Sequence, residues 1–216
     1  MTIQSPGLYL VTPLLADPTG FLPVLEAVCA AARPEAVLLR LAPADDRTLV
    51  KHVKALAAVV QAHEAAAVVA DPGDGIDLVT LVTRGGADGA HADDPARIDE
   101  LCERLKDGQD IGAGALLARH DAMAAGERGV DYVMFGEPDA AGRVPPLDEV
   151  EERAAWWAEI FQTPCVVYAP NLEAVPRLAA TGAEFVALGG ALWADPAGAV
   201  EFAAQARRLL SAETAA

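Results

Sequence analysis

The sequence is poor in cysteine, in aromatic residues and in positive charge. Its 216 residues include three cysteines and 5% aromatic residues, and 16 Lys and Arg stand against 32 Asp and Glu, for a net charge of −16. This charge argues against a nucleic-acid groove or an anionic membrane surface as the partner. The sequence also lacks any stretch that approaches the roughly 18 consecutive apolar residues of a membrane span. We therefore expect neither nucleic acid nor membrane among its partners.

The few cysteines and the first residues both bear on the cellular compartment. Cys29, Cys102 and Cys165 lie far apart with apolar neighbours and no metal-ligand spacing, which predicts buried free thiols rather than a disulfide or zinc site. The N-terminal MTIQSPGLYLVTP has no basic residue before its short apolar run, so we do not expect a signal peptide. Both features favour a reducing, cytoplasmic location.

Short apolar runs alternate with helical patterns along the whole chain, 53% of which is hydrophobic. The predicted strands are LYLVT (8–12), AVLLRL (36–41), AAVVA (66–70), GAHA (89–92), DIGAG (110–114), VDYVMFG (130–136), VVYA (166–169) and FVALGG (185–190). A helical pattern follows each strand, at 20–31, 46–64, about 75–84, 95–106, about 118–128, 147–161, 171–181 and 196–210.

The strands are apolar throughout, as expected for a parallel sheet covered by helices on both faces. Eight strand–helix pairs in 216 residues predict a single-domain (β/α)8 TIM barrel that spans residues 1–216. An open, doubly wound sheet is the alternative.

Three stretches share one pattern: GADGAH (86–91), GVDYVMFG (129–136) and GAEFVALGG (182–190). In each, a Gly follows a helix and an acidic residue enters the next strand. Since Gly takes the left-handed helix-capping conformation at low cost, we interpret the motif as structural. It marks the bottom of the barrel, where helices lead into strands.

Acidic residues at the opposite ends of two neighbouring strands are candidate metal ligands. Asp71 follows the third strand, and Asp93 and Asp94 follow the fourth; shared oxygen ligands would suit Mg²⁺. Two alternatives are open. Asp71 could stabilise the DPGDG turn, and one of Asp93 and Asp94 could cap the helix that opens at Pro95.

The end of the last strand, ALGGALW (187–193), is a candidate phosphate site. Gly189 and Gly190 allow backbone N–H groups to approach an anion, and phosphate sites after strands 7 and 8 recur in TIM barrels. Close packing is the other role open to these glycines. Arg40 ends an apolar strand and needs a partner for its charge, either an anionic ligand or Asp71.

Six stretches taken in order resemble the thiamine phosphate synthase/TenI family. They are YLVTP (9–13), VLLRLAP (37–43), GADGAHADD (86–94), DIGAG (110–114), GVDYVMFGEPD (129–139) and FVALGGALW (185–193). The resemblance covers nearly the whole chain and implies the TIM-barrel fold inferred above. It also implies an enzyme that joins hydroxymethylpyrimidine diphosphate to a thiazole phosphate and releases diphosphate.

The resemblance implies a set of site residues and a cofactor. Arg40 matches the Arg of the family's Gln-Leu-Arg-x-Lys, Asp71 the Asp of its Asn-Asp-Arg, and His91 the His of its Ala-Asp-Gly-Val-His. Arg40 and His91 are thus the candidate catalytic residues, and Asp71, Asp93 and Asp94 the candidate Mg²⁺ ligands. The candidate contacts to the phosphorylated small-molecule substrate are Gly112, Gly114, Gly136, Asn171, Gly189 and Gly190.

The chain departs from the family pattern at several basic and polar positions. Leu38 and Ala42 replace the Gln and Lys that flank Arg40, and the loop EPDAAGRVPP (137–146) offers only Arg143 as a cation. Two alternatives depend on these departures. The chain could be a degenerate member that binds a phosphorylated small molecule without synthase activity, or a TenI-type thiazole tautomerase, an activity that relies on a histidine and would here fall to His91.

The pair Trp156–Trp157 lies on the sixth predicted helix. One of two adjacent aromatic residues must lie off the face that packs on the core. We therefore expect that one of them could contact a second copy of the chain in a homo-oligomer.

Overall fold

The chain folds into a closed barrel of eight parallel strands with helices around it. In the computed structural model, which describes residues 5–106, 108–139 and 141–212, the strands are β1 (Gly7–Val11), β2 (Ala36–Leu39), β3 (Ala66–Ala70), β4 (Gly89–Ala92), β5 (Asp110–Ala113), β6 (Tyr132–Phe135), β7 (Cys165–Ala169) and β8 (Phe185–Leu188). Each strand pairs with the next, and β8 pairs with β1, so no edge is left open. The predicted (β/α)8 fold is confirmed and the open-sheet alternative is wrong.

Helices follow every strand. Those within the described residues are α1 (Leu22–Ala32), α2 (Asp46–Gln61), α3 (Leu78–Gly85), α4 (Pro95–Arg104), α5 (Arg119–Glu127), α6 (Leu147–Ile160), α7 (Val175–Ala179), α8 (Gly190–Trp193) and α9 (Ala199–Ala212). The helix predicted over 171–181 is instead a 3-10 turn, Leu172–Ala174, followed by the short α7. The Asn171 side chain caps that turn by accepting a hydrogen bond from the Ala174 N–H.

Side chains alternate between the barrel interior and the helix layer along each strand. On β1, Tyr9 and Val11 belong to the interior cluster, whereas Leu8 and Leu10 pack outward against the helices. Burying each such leucine stabilises the fold by roughly 1.5–3 kcal/mol. The three tyrosines of the sequence, Tyr9, Tyr132 and Tyr168, all lie in the interior.

The repeated Gly–acid motif lies at the bottom of the barrel, as predicted. Gly86, Gly129 and Gly182 have φ values of 73°, 85° and 89°, in the left-handed region that favours glycine. The acidic residue two positions later accepts a hydrogen bond from the preceding strand. These bonds run from Ala67 N–H to Asp88, from Ile111 N–H to Asp131 and from Cys165 N–H to Glu184, at 2.8, 2.7 and 2.8 Å.

A fourth carboxylate completes this ring of bonds. Glu35, which enters β2, accepts a hydrogen bond from the Leu8 N–H of β1. Just before each even-numbered strand, therefore, the side chain of an acidic residue accepts a hydrogen bond from a backbone N–H of the odd-numbered strand that precedes it in the chain. At the bottom of the barrel the hydrogen bonds between strands leave some backbone N–H groups unpaired, and the carboxylates accept hydrogen bonds from these groups.

The structure also bears on the predictions about membranes and thiols. Within the described ranges, no helix is long and apolar enough to cross a membrane. The three cysteines are free, with Cys29 and Cys165 buried and Cys102 half-buried. Burial raises the pKa of the Cys29 and Cys165 thiols to about 12, so both are inert at neutral pH.

Of the tryptophan pair, Trp157 is fully buried and its Nε1–H donates to the Thr163 carbonyl at 2.7 Å. Trp156 is half-buried, with the Arg119 guanidinium 4.8 Å from its ring centre and the Phe161 ring against its edge. The pair thus divides between core and surface as expected. A homo-oligomer remains a prediction.

Candidate active site

His91 is held in the barrel interior at the C-terminal end of β4. It is 4% exposed, and its Nδ1 lies 2.9 Å from the Tyr132 hydroxyl of β6, which in turn lies 2.9 Å from the Tyr9 hydroxyl of β1. The Tyr132 ring fits across the barrel because Gly112 of β5 has no side chain. A Cβ there would lie 2.1 Å from Cζ of Tyr132.

Two carboxylates approach the free side of the imidazole. Asp93, two residues beyond His91, places Oδ1 3.6 Å from Nε2. Glu137, which follows β6, offers a third ligand atom, and the three atoms lie within 4.8 Å of one another. Glu137 is fixed by a 2.7 Å hydrogen bond that its Oε1 accepts from the Ala115 N–H.

The surroundings shift the protonation of these groups. Burial raises the pKa of Glu137 to about 7, a shift that the Ala115 N–H opposes and the nearby Asp93 charge increases. Burial lowers the pKa of His91, against the pull of Asp93, and so favours the neutral imidazole. Burial also raises the pKa of Tyr132 well above its usual value, so this phenol is a neutral hydrogen-bonding group.

Asp71 is bound within the protein. Its Oδ2 lies 2.9 Å from Nε of Arg97, on α4, and its Oδ1 accepts from the Gly73 N–H at 3.0 Å. Both oxygens therefore have partners, and the bond to Gly73 is the turn stabilisation that the sequence left open. Binding of a shared Mg²⁺ ion by Asp71 and Asp93 stays a prediction.

Asp94 begins helix α4. Its Oδ1 accepts from the N–H groups of Ala96 and Arg97 at 2.8 and 3.2 Å, with Pro95 at the first helical position. This is the capping alternative for one of the two adjacent acids. The side chain of Asp93 points instead to His91, and 65% of it is exposed.

Arg40 lines a pocket of about 430 Å³ at the C-terminal ends of β2–β4, together with Asp71, His91 and Asp93. The backbone N–H of Arg40 donates to the Thr12 hydroxyl at 2.9 Å. Among the described residues no carboxylate lies within ion-pair distance of its guanidinium, and Asp71 is paired with Arg97 instead. Arg40 is thus a cation that faces the pocket without an internal partner.

The two glycines after β8 pack against Tyr168. The Gly190 N–H donates to the Tyr168 hydroxyl at 2.9 Å, and a Cβ on Gly189 would lie 2.8 Å from the same oxygen. A phosphate that bound this N–H would have to displace the hydroxyl. A four-residue helical turn, α8, begins at Gly190.

The remaining candidate substrate contacts each have a neighbour within the protein. Gly136 has a φ of 89° and packs against Val150, while the Asn171 side chain caps the 3-10 turn. Gly114 adjoins the group formed by His91, Asp93 and Glu137. Substrate binding by these residues stays a prediction.

The sequence did not single out Glu137, Tyr132 or Arg97. Glu137 was visible only as one acid at a strand end, and its approach to His91 depends on the path of the loop after β6. Tyr132 appeared as an apolar strand residue. An inward position on β6, two strands away from β4, was the available signal for its contact with His91.

Comparisons of the sequence with known proteins identify the family of this chain, and comparisons of the structure agree with the barrel fold. A family model described as thiamine monophosphate synthase matches residues 8–192. A thiamine-phosphate synthase of Rhodospirillum centenum is 35% identical over 211 residues, covering 94% of this chain and 97% of that protein. One from Erythrobacter litoralis is 34% identical, covering 86% and 87%.

Solved structures share the barrel. Thiamine phosphate pyrophosphorylase from Pyrococcus furiosus superimposes with a TM-score of 0.77 at 21% identity, covering 98% of both chains. The 3-hexulose-6-phosphate synthase from Salmonella typhimurium gives 0.72 at 17% identity, covering 96% of this chain and 99% of that one. At these identities the likeness concerns the fold, whereas the family match rests on sequence along almost the entire chain. The protein belongs to the thiamine monophosphate synthase family.

Proposed function

We propose that this chain is a transferase that joins hydroxymethylpyrimidine diphosphate to a thiazole phosphate and releases diphosphate, forming thiamine phosphate. The observation that carries the proposal is the 35% identity to the Rhodospirillum centenum thiamine-phosphate synthase along nearly the full length of both proteins. The pocket of about 430 Å³ at the strand ends supports it, since small-molecule sites commonly measure 300–1,000 Å³.

In the proposed reaction the bond between the pyrimidine methylene and the diphosphate oxygen breaks, and its electron pair leaves with diphosphate. The thiazole nitrogen donates its lone pair to the methylene carbon and forms the new C–N bond. The transfer needs no protein nucleophile. The protein contributes by positioning the two substrates and stabilising the charge of the leaving group.

Arg40 is the residue best placed to stabilise that charge. It is the only Lys or Arg among the described residues that line the pocket, and it lacks an internal carboxylate partner. A guanidinium with two donor edges suits bidentate contact with phosphate oxygens. We assign Arg40 to the diphosphate, and Mg²⁺ held by Asp71 and Asp93 would add positive charge beside it.

A second candidate is a protein that binds a thiazole or pyrimidine phosphate without joining them. Two features favour it: the Gly190 N–H is occupied, and only one of the described residues that line the pocket is a Lys or Arg, whereas a diphosphate carries several negative charges. A TenI-type isomerase acting on the thiazole phosphate is a further form of this candidate, with His91 as the histidine.

The test is turnover with both substrates in the presence of Mg²⁺, followed by mass spectrometry of thiamine phosphate and by release of diphosphate. Arg40→Gln removes the assigned cation and is expected to lower kcat/KM by about 100-fold. Arg47→Gln is the matched control, since Arg47 is exposed on α2 away from the pocket lining. Equal rates for wild type and Arg40→Gln would contradict the role of Arg40.

The same incubations separate the candidates. Binding of the thiazole phosphate without thiamine phosphate at high enzyme concentration would favour the binding protein. Conversion of the thiazole phosphate alone into an isomer, with no thiamine phosphate when both substrates are present, would favour the isomerase. Either result would overturn the transferase proposal.

We further propose that the protein works in the cytoplasm. Three free thiols support this location, since cysteines of secreted domains are usually paired. The proposed substrates are small, phosphorylated and water-soluble. With a net charge of −16 the protein is not expected to bind nucleic acid or membranes.

A further inference from the structure

Three donor groups from the C-terminal ends of β4 and β6 converge at the edge of the pocket. We propose that Nε2 of His91 and the carboxylates of Asp93 and Glu137 bind one divalent first-row transition-metal cation, such as Co²⁺ or Zn²⁺. His91 lies on β4, Asp93 directly follows β4, and Glu137 follows β6. This proposal does not depend on transferase activity, because it concerns the protein without substrate.

The distances suit a common ion. The three ligand atoms lie within 4.8 Å of one another, and Nε2 of His91 is 3.6 Å from Oδ1 of Asp93. Ligands that bind one ion at about 2.1 Å lie roughly 3–4 Å apart. Two of the donors already have this separation, and the Glu137 atom lies within 4.8 Å of both.

Gly114, just beyond β5, keeps the space between the donors open. A Cβ at this position would lie 2.4 Å from Oδ1 of Asp93, 2.4 Å from Oε1 of Glu137 and 2.5 Å from Nε2 of His91. All three donors therefore face one point that any other residue would fill. Packing alone does not explain the arrangement, because the three neighbours are polar atoms rather than apolar side chains.

The imidazole is oriented as a metal ligand. Nδ1 of His91 is engaged by the Tyr132 hydroxyl, itself hydrogen-bonded to Tyr9, so the ring orientation is fixed from inside the barrel. Nε2 points to the carboxylates, but its 3.6 Å separation from Asp93 is too long for a hydrogen bond. Among the described residues Nε2 thus has no hydrogen-bonding partner, and it faces the two carboxylates.

Charge favours a cation at this point. In the part of the chain that the structure describes, neither Asp93 nor Glu137 has a Lys or Arg within ion-pair distance. Two carboxylates and one neutral imidazole balance a divalent ion. The exposed Asp93 side chain, which also lines the pocket, gives the ion a path from solvent.

The ligand types indicate the class of metal. Imidazole nitrogen suits Zn²⁺, Co²⁺ and their neighbours better than Mg²⁺ or Ca²⁺, which prefer oxygen alone. Three protein ligands also leave at least one position open, as in zinc sites that bind water or substrate. The open position would face the pocket that Arg40 lines.

The experiment measures binding of Co²⁺ to the purified, chelator-treated protein by its visible absorption, with Zn²⁺ as competitor. We expect one ion per chain and a rise in the melting temperature. Glu137→Gln keeps an oxygen acceptor for the Ala115 N–H and is expected to weaken Co²⁺ binding about 10- to 100-fold, as is Asp93→Asn. Circular dichroism of the metal-free variants checks that each retains the fold.

Asp94→Asn is the discriminating variant, because it alters the adjacent carboxylate while asparagine still caps α4. It is expected to bind Co²⁺ with the affinity of the wild type. Absence of stoichiometric binding at millimolar Co²⁺ would overturn the proposal. So would equal affinity in Glu137→Gln, Asp93→Asn and wild-type protein, since the ion would then lie elsewhere.

Discussion

The Nε atom of Arg97 lies 2.9 Å from Oδ2 of Asp71, and the same guanidinium reaches Glu100 and the carbonyl of Ile76. The pair therefore ties Asp71, at the end of β3, to helix α4. Asp71 still lines the pocket, but its charge is paired with Arg97. Among the described residues, Arg40 is the Lys or Arg that lines the pocket.

The Arg97–Asp71 pair should be a coupled stabilising interaction. Their side chains are only 17% and 18% exposed, so screening by water is weak. A double-mutant cycle with Arg97→Ala and Asp71→Asn, measured by urea unfolding, is expected to give a coupling free energy of about 1–3 kcal/mol. The more exposed Arg104–Asp77 pair serves as the control and should give a smaller value. Strictly additive effects of Arg97→Ala and Asp71→Asn would show that the pair contributes nothing.

Gly114 should tolerate no side chain. Gly114→Ala places a methyl group against the His91, Asp93 and Glu137 donor atoms, and we expect it to lower the free energy of unfolding by about 1–3 kcal/mol and to abolish Co²⁺ binding. Gly20→Ala is the matched control, because no heavy atom lies within 4 Å of its added Cβ. Thermal unfolding and Co²⁺ absorption report the two effects. A Gly114→Ala protein that bound Co²⁺ like the wild type would argue against convergence of the donors at this point.

The ring of carboxylates at the bottom of the barrel should contribute to stability. Asp131→Ala leaves the Ile111 N–H of β5 without its acceptor, which is expected to cost about 1–3 kcal/mol in chemical denaturation. Asp131→Asn keeps an acceptor oxygen and should cost less. Glu159→Ala, at an exposed position of α6, provides the baseline for losing one surface charge. An Asp131→Ala loss no larger than that baseline would mean that water replaces the carboxylate.

Tyr168 should compete with phosphate for the Gly190 N–H. Tyr168→Phe removes the hydroxyl that accepts this bond, and we expect tighter binding of the thiazole phosphate by roughly fivefold, equivalent to about 1 kcal/mol. Without ligand the variant should be slightly less stable, since the N–H loses its internal acceptor. Calorimetric titration with the thiazole phosphate measures the affinity. An unchanged affinity would place the phosphate away from Gly190.

The fold was accessible from the sequence because its signals are local. Apolar strand runs such as VVYA (166–169), each followed by a helical pattern, indicate a covered parallel sheet. The Gly–acid motif was equally accessible, since Gly129 needs a positive φ and Asp131 can reach the neighbouring strand. Only the helix over 171–181 was misjudged. There the Asn171 cap produces a tight turn before α7.

The site was less accessible because its contacts join distant parts of the chain. Asp71 is 26 residues from Arg97, and either residue alone is compatible with a surface position. His91 was identified as a candidate, but its contacts to Tyr132 and its approach to Glu137 depend on strand register and on the loop after β6. The sequence could not indicate that Tyr168 reaches the Gly190 N–H, because that contact depends on a tyrosine rotamer.

The most direct measurement is detection of thiamine phosphate after incubating the chain with hydroxymethylpyrimidine diphosphate and the thiazole phosphate. Reactions contain Mg²⁺ or Co²⁺, and mass spectrometry follows the product while a coupled assay follows diphosphate. We expect both products in equal amounts, with a large loss of rate in Arg40→Gln and none in Arg47→Gln. Neither product from a folded protein that still binds the thiazole phosphate would contradict the transferase assignment.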